Sequence, residues 1–392
     1  MSQDTIVIVG MARTPMGGLL GDFASVNASD LGATAIKAAV ENSGLKGDDI
    51  SETIMGCCLP GGQGQAPARQ AMRKADIPDA TGAVTINKMC GSGMKAMMQA
   101  ADSLKAGSND AVIAGGMESM TRAPHMMKIR QGHKYGSSEM VDHMALDGLT
   151  DAYVGKPMGG FAELVAEKYQ FSREAQDAYA IESLKRAQRA IENGDFEGEI
   201  APVTISSRRG DTVVDTDEQP GKARLDKIPQ LRPAFKKDGT VTAANASSIS
   251  DGAAALVMMR ESDAKAQGLK PIARVVSYAA HSQEPEWFAT APIPAINKAL
   301  EKANWTKDDV DLFEINEAFA VVTMAAMQEL GLDHDKVNVN GGACALGHPI
   351  GASGARIMVT LLNALQKRGK KRGVGSLCIG GGEATAMCVE MV

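Results

Sequence analysis

The six cysteines of this 392-residue chain lack the CxxC spacing of zinc and iron–sulfur sites. They stand at positions 57, 58, 90, 344, 378 and 388, which is too sparse for a disulfide scaffold. We therefore expect no metal site. The adjacent Cys57 and Cys58 fit packing positions at the end of a strand, but their spacing leaves a functional use of one of them open.

The chain also lacks an excess of positive charge and any long apolar run. Its formal net charge is −6 and its pI is near 5.6, which gives no basic field for nucleic acid. No apolar stretch reaches the length of about 18 residues that a membrane span needs, and the opening MSQDTIVIVG runs into a predicted strand instead of a signal peptide. We expect a cytoplasmic protein that binds neither nucleic acid nor membrane.

The chain repeats itself, which defines its organisation. AIKAAVENSGLKGDDISETIMG, from Ala35, returns as AINKALEKANWTKDDVDLFEIN, from Ala295. SGMKAMMQAADSLKAG, from Ser92, is matched by SGARIMVTLLNALQKRG, from Ser353. Each half alternates predicted strands with amphipathic helices, which indicates an α/β fold of two halves, with parallel-stranded sheets covered by helices.

A section without a counterpart in the repeat separates the halves. We predict three units: a first half of residues 1–120 with 251–268, an inserted loop domain of 121–250, and a second half of 269–392. An insertion of this size is expected to lie over a pocket. Its basic residues then either meet a phosphorylated ligand or form a solvated face; they include Arg208, Arg209, Lys222 and Arg224.

Cys90 stands in NKMCGSG, directly before a predicted helix. The partial positive charge of a helix N-terminus favours a thiolate, as a nucleophilic cysteine needs, although a single cysteine is as readily a buried packing residue. In the second half, His348 of GHPIGASG lies on the equivalent loop. If a pseudo-twofold axis relates the halves, the two loops converge, and cysteine with histidine indicates thiolate catalysis.

Four motifs in this order resemble those of the thiolase family. They are NKMCGSGMKA, NEAFA at 316–320, VNVNGGACALGHPIGASGAR at 337–356 and LCIGGGEATA at 377–386, and the resemblance covers nearly the whole chain. It implies a five-layered α-β-α-β-α core with an inserted loop domain that binds coenzyme A. A condensing enzyme that uses acyl carrier protein would have little reason for Cys378 or the long insertion.

The resemblance also implies the reaction, a reversible Claisen condensation of two acetyl-CoA to acetoacetyl-CoA and CoA through an acyl-cysteine. The substrates are CoA thioesters, no cofactor is tightly bound, and the setting is fatty acid metabolism. Thiolysis of longer 3-ketoacyl-CoA by a degradative member is the alternative. A noncatalytic protein would need another use for Cys90, His348 and Cys378 together.

The family's catalytic roles carry over onto five positions. Cys90 would accept the acyl group, and His348 would take its proton. Cys378 would handle the proton of the second substrate. The backbone N–H groups of Cys90 and Gly380 would bind the thioester oxygen, while the enolate oxygen would face His348 and a water held by Asn316.

Small and apolar residues make up the implied coenzyme A contacts. These are Leu149, Met158, Phe235, Ala243, Ser247, Ala318 and Phe319. Two departures concern specificity. Pro157 stands where many acetyl-CoA-specific members have histidine. EQPGKARLD lacks the usual nucleotide-binding arginine, and we expect Lys222 or Arg224 to replace it. The family's habit implies a homotetramer, a dimer of dimers, with the Met-rich segment 125–144 as the predicted contact between dimers.

Overall fold

The computed structural model describes residues 4–208 and 210–392 and contains one connected ten-stranded sheet. The strands are β1 Ile6–Arg13, β2 Gly17–Gly18, β3 Glu52–Gly56, β4 Gly82–Ile86, β5 Ala111–Ser119, β6 His125–Met126, β7 Val141–Asp142, β8 Val203–Ser207, β9 Gly210–Val214, β10 Ser250–Arg260, β11 Ala273–Ser282, β12 Leu312–Ile315, β13 Arg372–Ile379 and β14 Glu383–Met391.

Helices pack on both faces of each half of this sheet. They are α1 Ala28–Ser43, α2 Pro67–Lys74, α3 Ser92–Lys105, α4 Met158–Tyr169, α5 Arg173–Glu192, α6 Glu218–Lys222, α7 Glu261–Ala266, α8 Pro292–Ala303, α9 Ala320–Leu330, α10 Ala343–Leu346 and α11 Ile350–Lys367. A π-helix spans Met144–Leu149. None of the helices in the described part of the chain has the length and apolar character needed to cross a membrane.

The main sheet runs in the order β12-β13-β14-β11-β1-β10-β5-β3-β4, with β2 beside β10. Residues 6–8 of β1 pair with residues 273–275 of β11, and this short ladder joins the two halves. Within residues 4–208 and 210–392, only the strand pairs β3–β4, β3–β5 and β12–β13 are parallel, so the prediction of parallel sheets was wrong for the remaining strands. One reason is that only Gly380–Gly382 connect β13 to β14, and so short a connection makes an antiparallel pair.

The two halves share the predicted helix-and-strand plan. In chain order, α1, β3, α3 and β5 correspond to α8, β12, α11 and β13. Even a short connection is repeated: the carboxylate of Asp49 accepts the N–H of Lys46 at 2.7 Å, and that of Asp309 accepts the N–H of Thr306 at 2.7 Å. The duplication read from the sequence is therefore present in the structure.

Alternating side chains produce five layers. In β1, Ile6 and Ile8 belong to a central core with α3 and α11, whereas Val7 and Val9 belong to an outer core with α1 and α2. In β14, Met387 faces the central core and its neighbours on either side belong to a second outer core under α8. The order is helices, sheet, helices, sheet, helices, which confirms the predicted α-β-α-β-α architecture.

Two glycines at matching repeat positions set the distance between α3 and α11. A Cβ on Gly93 would lie 2.6 Å from the backbone nitrogen of Ala355, and a Cβ on Gly354 would overlap the backbone of Met94. Backbone atoms on both sides leave no room for a side chain. The first turns of the two central helices therefore meet, and the loops before them end in the same region.

The predicted insertion contains α4, α5, the β8–β9 hairpin and α6. Arg13 of β1 anchors part of it through buried ion pairs, at 2.5 Å to Glu199 and 2.7 Å to Asp217. β10, which follows the insertion, pairs with β1 and β5. The exact limits at 121, 250 and 268 remain a prediction.

Candidate active site

Cys90 lies on a tight turn before α3. Met89, just before it, has a φ of 46°, a conformation that a non-glycine residue adopts only when its surroundings hold it there. The hydroxyl of Ser92 supplies part of that support: it accepts the N–H of Lys88 at 2.8 Å and donates to the carbonyl of Met89 at 2.7 Å. Cys90 as a whole residue is only partly buried.

The protonation state of Cys90 differs from the sequence-based expectation. Burial raises the pKa of the Cys90 thiol to about 11, and Glu118 adds to the rise. The backbone N–H groups of Gly380 and of Cys90 itself act in the opposite direction and lower that pKa. The predicted preference for the thiolate was wrong, because loss of hydration outweighs the helix N-terminus. A base must therefore take the proton when the sulfur reacts.

His348 is a buried imidazole whose tautomer follows from its hydrogen bonds. Ser353 has one hydroxyl hydrogen, which it donates to the carbonyl of Pro349 at 2.9 Å. Its oxygen lies 2.5 Å from Nδ1 of His348, and we assign the hydrogen of this contact to Nδ1, with the Ser353 oxygen as acceptor. This leaves Nε2 unprotonated and able to act as the base.

The surroundings keep His348 uncharged. Burial and, to a smaller extent, the positive charge of Arg356 together lower the pKa of the imidazole to about 3. Nδ2 of Asn316 lies 3.5 Å from both ring nitrogens, so the two side chains face each other at the end of β12. Oδ1 of Asn316 is buried and has no hydrogen-bond partner among residues 4–208 and 210–392, which leaves an acceptor for a water or a ligand.

Cys378 is buried near the end of β13, two residues before Gly380. Burial, followed by the charge of Cys90, raises the pKa of the Cys378 thiol well above its usual range. The two cysteines are thus close enough to interact, as are the Cys90 thiol and the Gly380 N–H. Cys378 shares an apolar cluster with Ala318 and Phe319.

Six of the seven predicted coenzyme A contacts border this region. Leu149 packs on the same small cluster as Cys90, and Met158 packs on the cluster that holds Cys378. The ring of Phe235 meets that of Phe319 edge-on at 6.1 Å, and the N–H of Ser247 donates to the carbonyl of Ala318 at 3.0 Å.

Ala243, the seventh, lines a separate cavity of about 300 Å³. Arg224, Lys227, Ser248 and Cys344 also line it. Lys222 does not: its amine is bound to Glu218 and lies 3.6 Å from Asp22. Of the two proposed replacements for the nucleotide-binding arginine, only Arg224 reaches this cavity.

Two buried glutamates that sequence reasoning missed support the loops around the cysteines and the histidine. Glu118 accepts the N–H groups of Cys58 at 2.8 Å, Leu59 at 3.1 Å and Gly351 at 2.9 Å, and so ties β5 to the start of α11. Its signal was an acidic residue inside the otherwise apolar strand AVIAGGMES.

Glu317 performs a similar task beside Asn316. Its carboxylate accepts hydrogen bonds from Tyr179 at 2.9 Å, Ser183 at 2.7 Å and Asn338 at 2.9 Å. These bonds connect the end of β12 to α5 of the insertion. The NEAFA motif contained this residue, but roles were given only to its Asn316, Ala318 and Phe319.

Comparison with known proteins identifies the family. Residues 6–262 match the family model for the thiolase N-terminal domain, and residues 269–391 match that for the thiolase C-terminal domain. The chain belongs to the thiolase family. The resemblance inferred from the four motifs is thereby confirmed.

Full-length relatives agree with this assignment. An acetyl-CoA acetyltransferase of Rhizobium meliloti is 49% identical over 391 residues, which cover 100% of this chain and 100% of the relative. Acetyl-CoA acetyltransferase 2 of Arabidopsis thaliana is 50% identical, over 99% of this chain and 97% of its own.

Solved structures agree as well. The crystal structure of the Bacillus anthracis acetyl-CoA acetyltransferase superposes with a TM-score of 0.97, at 40% identity, over 100% of this chain and 99% of the other. The structure of Acat5 thiolase from Ascaris suum in complex with coenzyme A superposes with a TM-score of 0.94, at 42% identity, over 99% of this chain and 100% of the other.

The raised pKa of Cys90 predicts how its alkylation depends on pH. Below the pKa, the reactive thiolate fraction rises about tenfold per pH unit. We expect iodoacetamide to modify Cys90 about tenfold faster for each pH unit between about pH 7 and 9.5. Mass spectrometry of the Cys90 peptide measures the rate. Cys90→Ser serves as the control for other sites. A rate that levels off near the ordinary cysteine pKa would contradict this prediction.

Proposed function

We propose that the protein is an acetyl-CoA C-acetyltransferase, which condenses two acetyl-CoA reversibly to acetoacetyl-CoA and CoA. The observation that carries the proposal is that the loop of Cys90 and the strand end before Gly380, from opposite halves, are in contact, since Gly91 lies directly against Ile379. The backbone N–H groups of Cys90 and Gly380 both lower the pKa of the Cys90 thiol. Two such donors suit the oxyanion of an acyl transfer to that sulfur. The shared description of the full-length relatives, acetyl-CoA acetyltransferase, supports the choice of acetyl-CoA.

The first half-reaction loads Cys90. Nε2 of His348 takes the thiol proton while the sulfur attacks the thioester carbonyl of acetyl-CoA. The resulting oxyanion is held by the N–H groups of Cys90 and Gly380. When the carbonyl reforms, the bond to the CoA sulfur breaks, and His348 returns the proton to that sulfur. A neutral imidazole is required, and the low pKa of His348 provides it at neutral pH.

The second half-reaction forms the carbon–carbon bond. Cys378 first gives its proton to water, which its raised pKa makes costly, and its thiolate is for the same reason a stronger base. It takes an α-proton from a second acetyl-CoA, whose enolate oxygen faces His348 and a water on Asn316. The carbanion attacks the acetyl carbonyl and the Cys90 sulfur leaves as a thiolate. Cys378 gives its proton to Cys90 and regains one from water, which restores both thiols.

The separate roles proposed for Cys378 and His348 predict different defects in two variants. Cys378→Ser should still acetylate Cys90, because loading uses only Cys90, His348 and the two N–H groups, whereas turnover should fall by about 10²- to 10⁴-fold. His348→Ala should lose both loading and turnover. Rapid quench with mass spectrometry measures the adduct, and loss of acetoacetyl-CoA absorbance measures thiolysis.

The matched control is Cys90→Ser, which should give no adduct at all while it remains folded. An adduct only on Cys57, Cys58 or Cys378 would refute Cys90 as the acceptor. Equal loss of loading in Cys378→Ser and His348→Ala would mean that Cys378 activates Cys90. Rates on longer 3-ketoacyl-CoA, compared with acetoacetyl-CoA, test the acetyl specificity.

For coenzyme A we propose the seven contacts predicted above, with Arg224 facing the nucleotide phosphates from the cavity that Ala243 lines. The Arg224 side chain is 69% exposed, and the Asp226 side chain, with which it pairs at 3.5 Å, is exposed as well. The guanidinium can therefore turn toward a phosphate. CoA thioesters are substrates in this proposal, and no cofactor is tightly bound.

Arg224→Gln should raise the KM for acetyl-CoA about three- to tenfold and leave kcat nearly unchanged, since a distant phosphate contact contributes binding alone. Lys222→Gln is the matched control, because that lysine is held by Glu218 outside the cavity. Steady-state kinetics measure both. An equal rise in KM in the two variants would remove the assignment of Arg224.

We also propose a cytoplasmic homotetramer, a dimer of dimers, that serves fatty acid metabolism. Segment 125–144 supports the contact between dimers, because it exposes Met127, Ile129, Tyr135 and Met140. Its deletion should halve the mass measured by light scattering, whereas an unchanged tetramer would refute this role. The unit limits at 1–120 with 251–268, 121–250 and 269–392 form part of the same proposal.

A further inference from the structure

An ion pair joins the two loops that carry the proposed oxyanion donors. Nζ of Lys88 lies 2.6 Å from Oε2 of Glu383, and the two side chains are 21% and 32% exposed. Lys88 stands two residues before Cys90, in the first half of the chain. Glu383 opens β14 three residues after Gly380, in the second half. Each partner is therefore close in sequence to one of the two N–H groups.

Both loops need an external support. The turn that carries Gly380 consists of three glycines, two of them with left-handed φ values of 95° and 88°. Such a turn has little stiffness of its own. The other loop contains Met89 at a φ of 46°. Glu383 is in turn fixed on β11, because its second oxygen accepts the hydroxyl of Ser282 at 3.1 Å.

A second contact between these loops is apolar. Gly91 lies against Ile379 so closely that a Cβ on Gly91 would fall 2.9 Å from Cγ1 of Ile379. An apolar contact limits how near the loops approach but does not fix how one slides along the other, whereas a charged hydrogen bond has a preferred direction. The ion pair supplies that missing constraint.

We propose that Lys88 and Glu383 are positioning residues, which hold the Gly380 N–H in line with the thioester oxygen on Cys90. This inference rests on the proposed acetyl transfer. Its physical basis is that a small displacement of a group from its productive geometry costs far more in rate than in stability. Neither residue contacts the acyl group; they act through the backbone of the loops.

The test compares acetyl loading of Cys90 in single and paired variants. Lys88→Met and Glu383→Gln should each slow loading by about three- to tenfold, because partly exposed ion pairs are only moderately strong. The KM for acetyl-CoA should stay within about twofold in both. The charge-reversed pair K88E/E383K should recover loading to within about twofold of the native rate, which a purely structural loss would not allow.

A matched control lies at the opposite end of β14. Arg372 and Glu390 form an ion pair of 2.9 Å with side chains that are 36% and 30% exposed. Glu390→Gln should leave loading unchanged. Thermal unfolding of every variant separates a slower folded enzyme from a partly unfolded one. Added salt, which screens the partly exposed pair, should slow the native protein more than it slows Lys88→Met.

The outcomes distinguish the two proposals. Failure of the native protein to acetylate Cys90 would refute the proposed function. Native loading with an unchanged rate in Lys88→Met and Glu383→Gln would overturn only the positioning role, as would a charge-reversed pair slower than either single variant. Slower loading in both singles, with recovery in the pair and none in the control, supports it.

Discussion

The close crossing of α3 and α11 is the constraint on which the site depends. Gly93 and Gly354 allow the backbones of the two helices to touch, and their first turns therefore meet between the sheets. Cys90 and His348 stand on the loops before those turns. A side chain at either glycine would separate the helices and, with them, the loops from the two halves. Helix packing in the central layer thus brings together chemistry from distant parts of the chain.

Burial in that central layer then decides how the site is charged. It raises the pKa of the Cys90 and Cys378 thiols and lowers that of His348, so all three groups are neutral near pH 7. A neutral thiol and a neutral imidazole store no ion pair before substrate arrives, and in the proposed reaction charge develops only where two N–H groups are ready to receive it. The loops are held in place by Glu118, which accepts hydrogen bonds from their backbone N–H groups.

Much of this arrangement could be predicted from the sequence, and the failures have a common cause. The duplication, the layers and the loops of Cys90 and His348 follow from local patterns that a chain displays directly. Protonation does not, since the helix start at Cys90 is visible in the sequence but the loss of hydration is not. The role of Ser353, the separation of Arg224 from Lys222, and the pairing of Lys88 with Glu383 likewise depend on distances that only the folded chain defines.

The repeat explains how one scaffold supports two different functions. Ser92 and Ser353 occupy equivalent first turns, and each donates its hydroxyl hydrogen to a carbonyl of the preceding loop. The oxygen of Ser92 accepts a backbone N–H and so stabilises the strained turn at Cys90. The oxygen of Ser353 accepts the imidazole hydrogen of His348 and so selects its tautomer. The same geometry, present at both helix starts, therefore positions the proposed nucleophile in one half and its proposed base in the other.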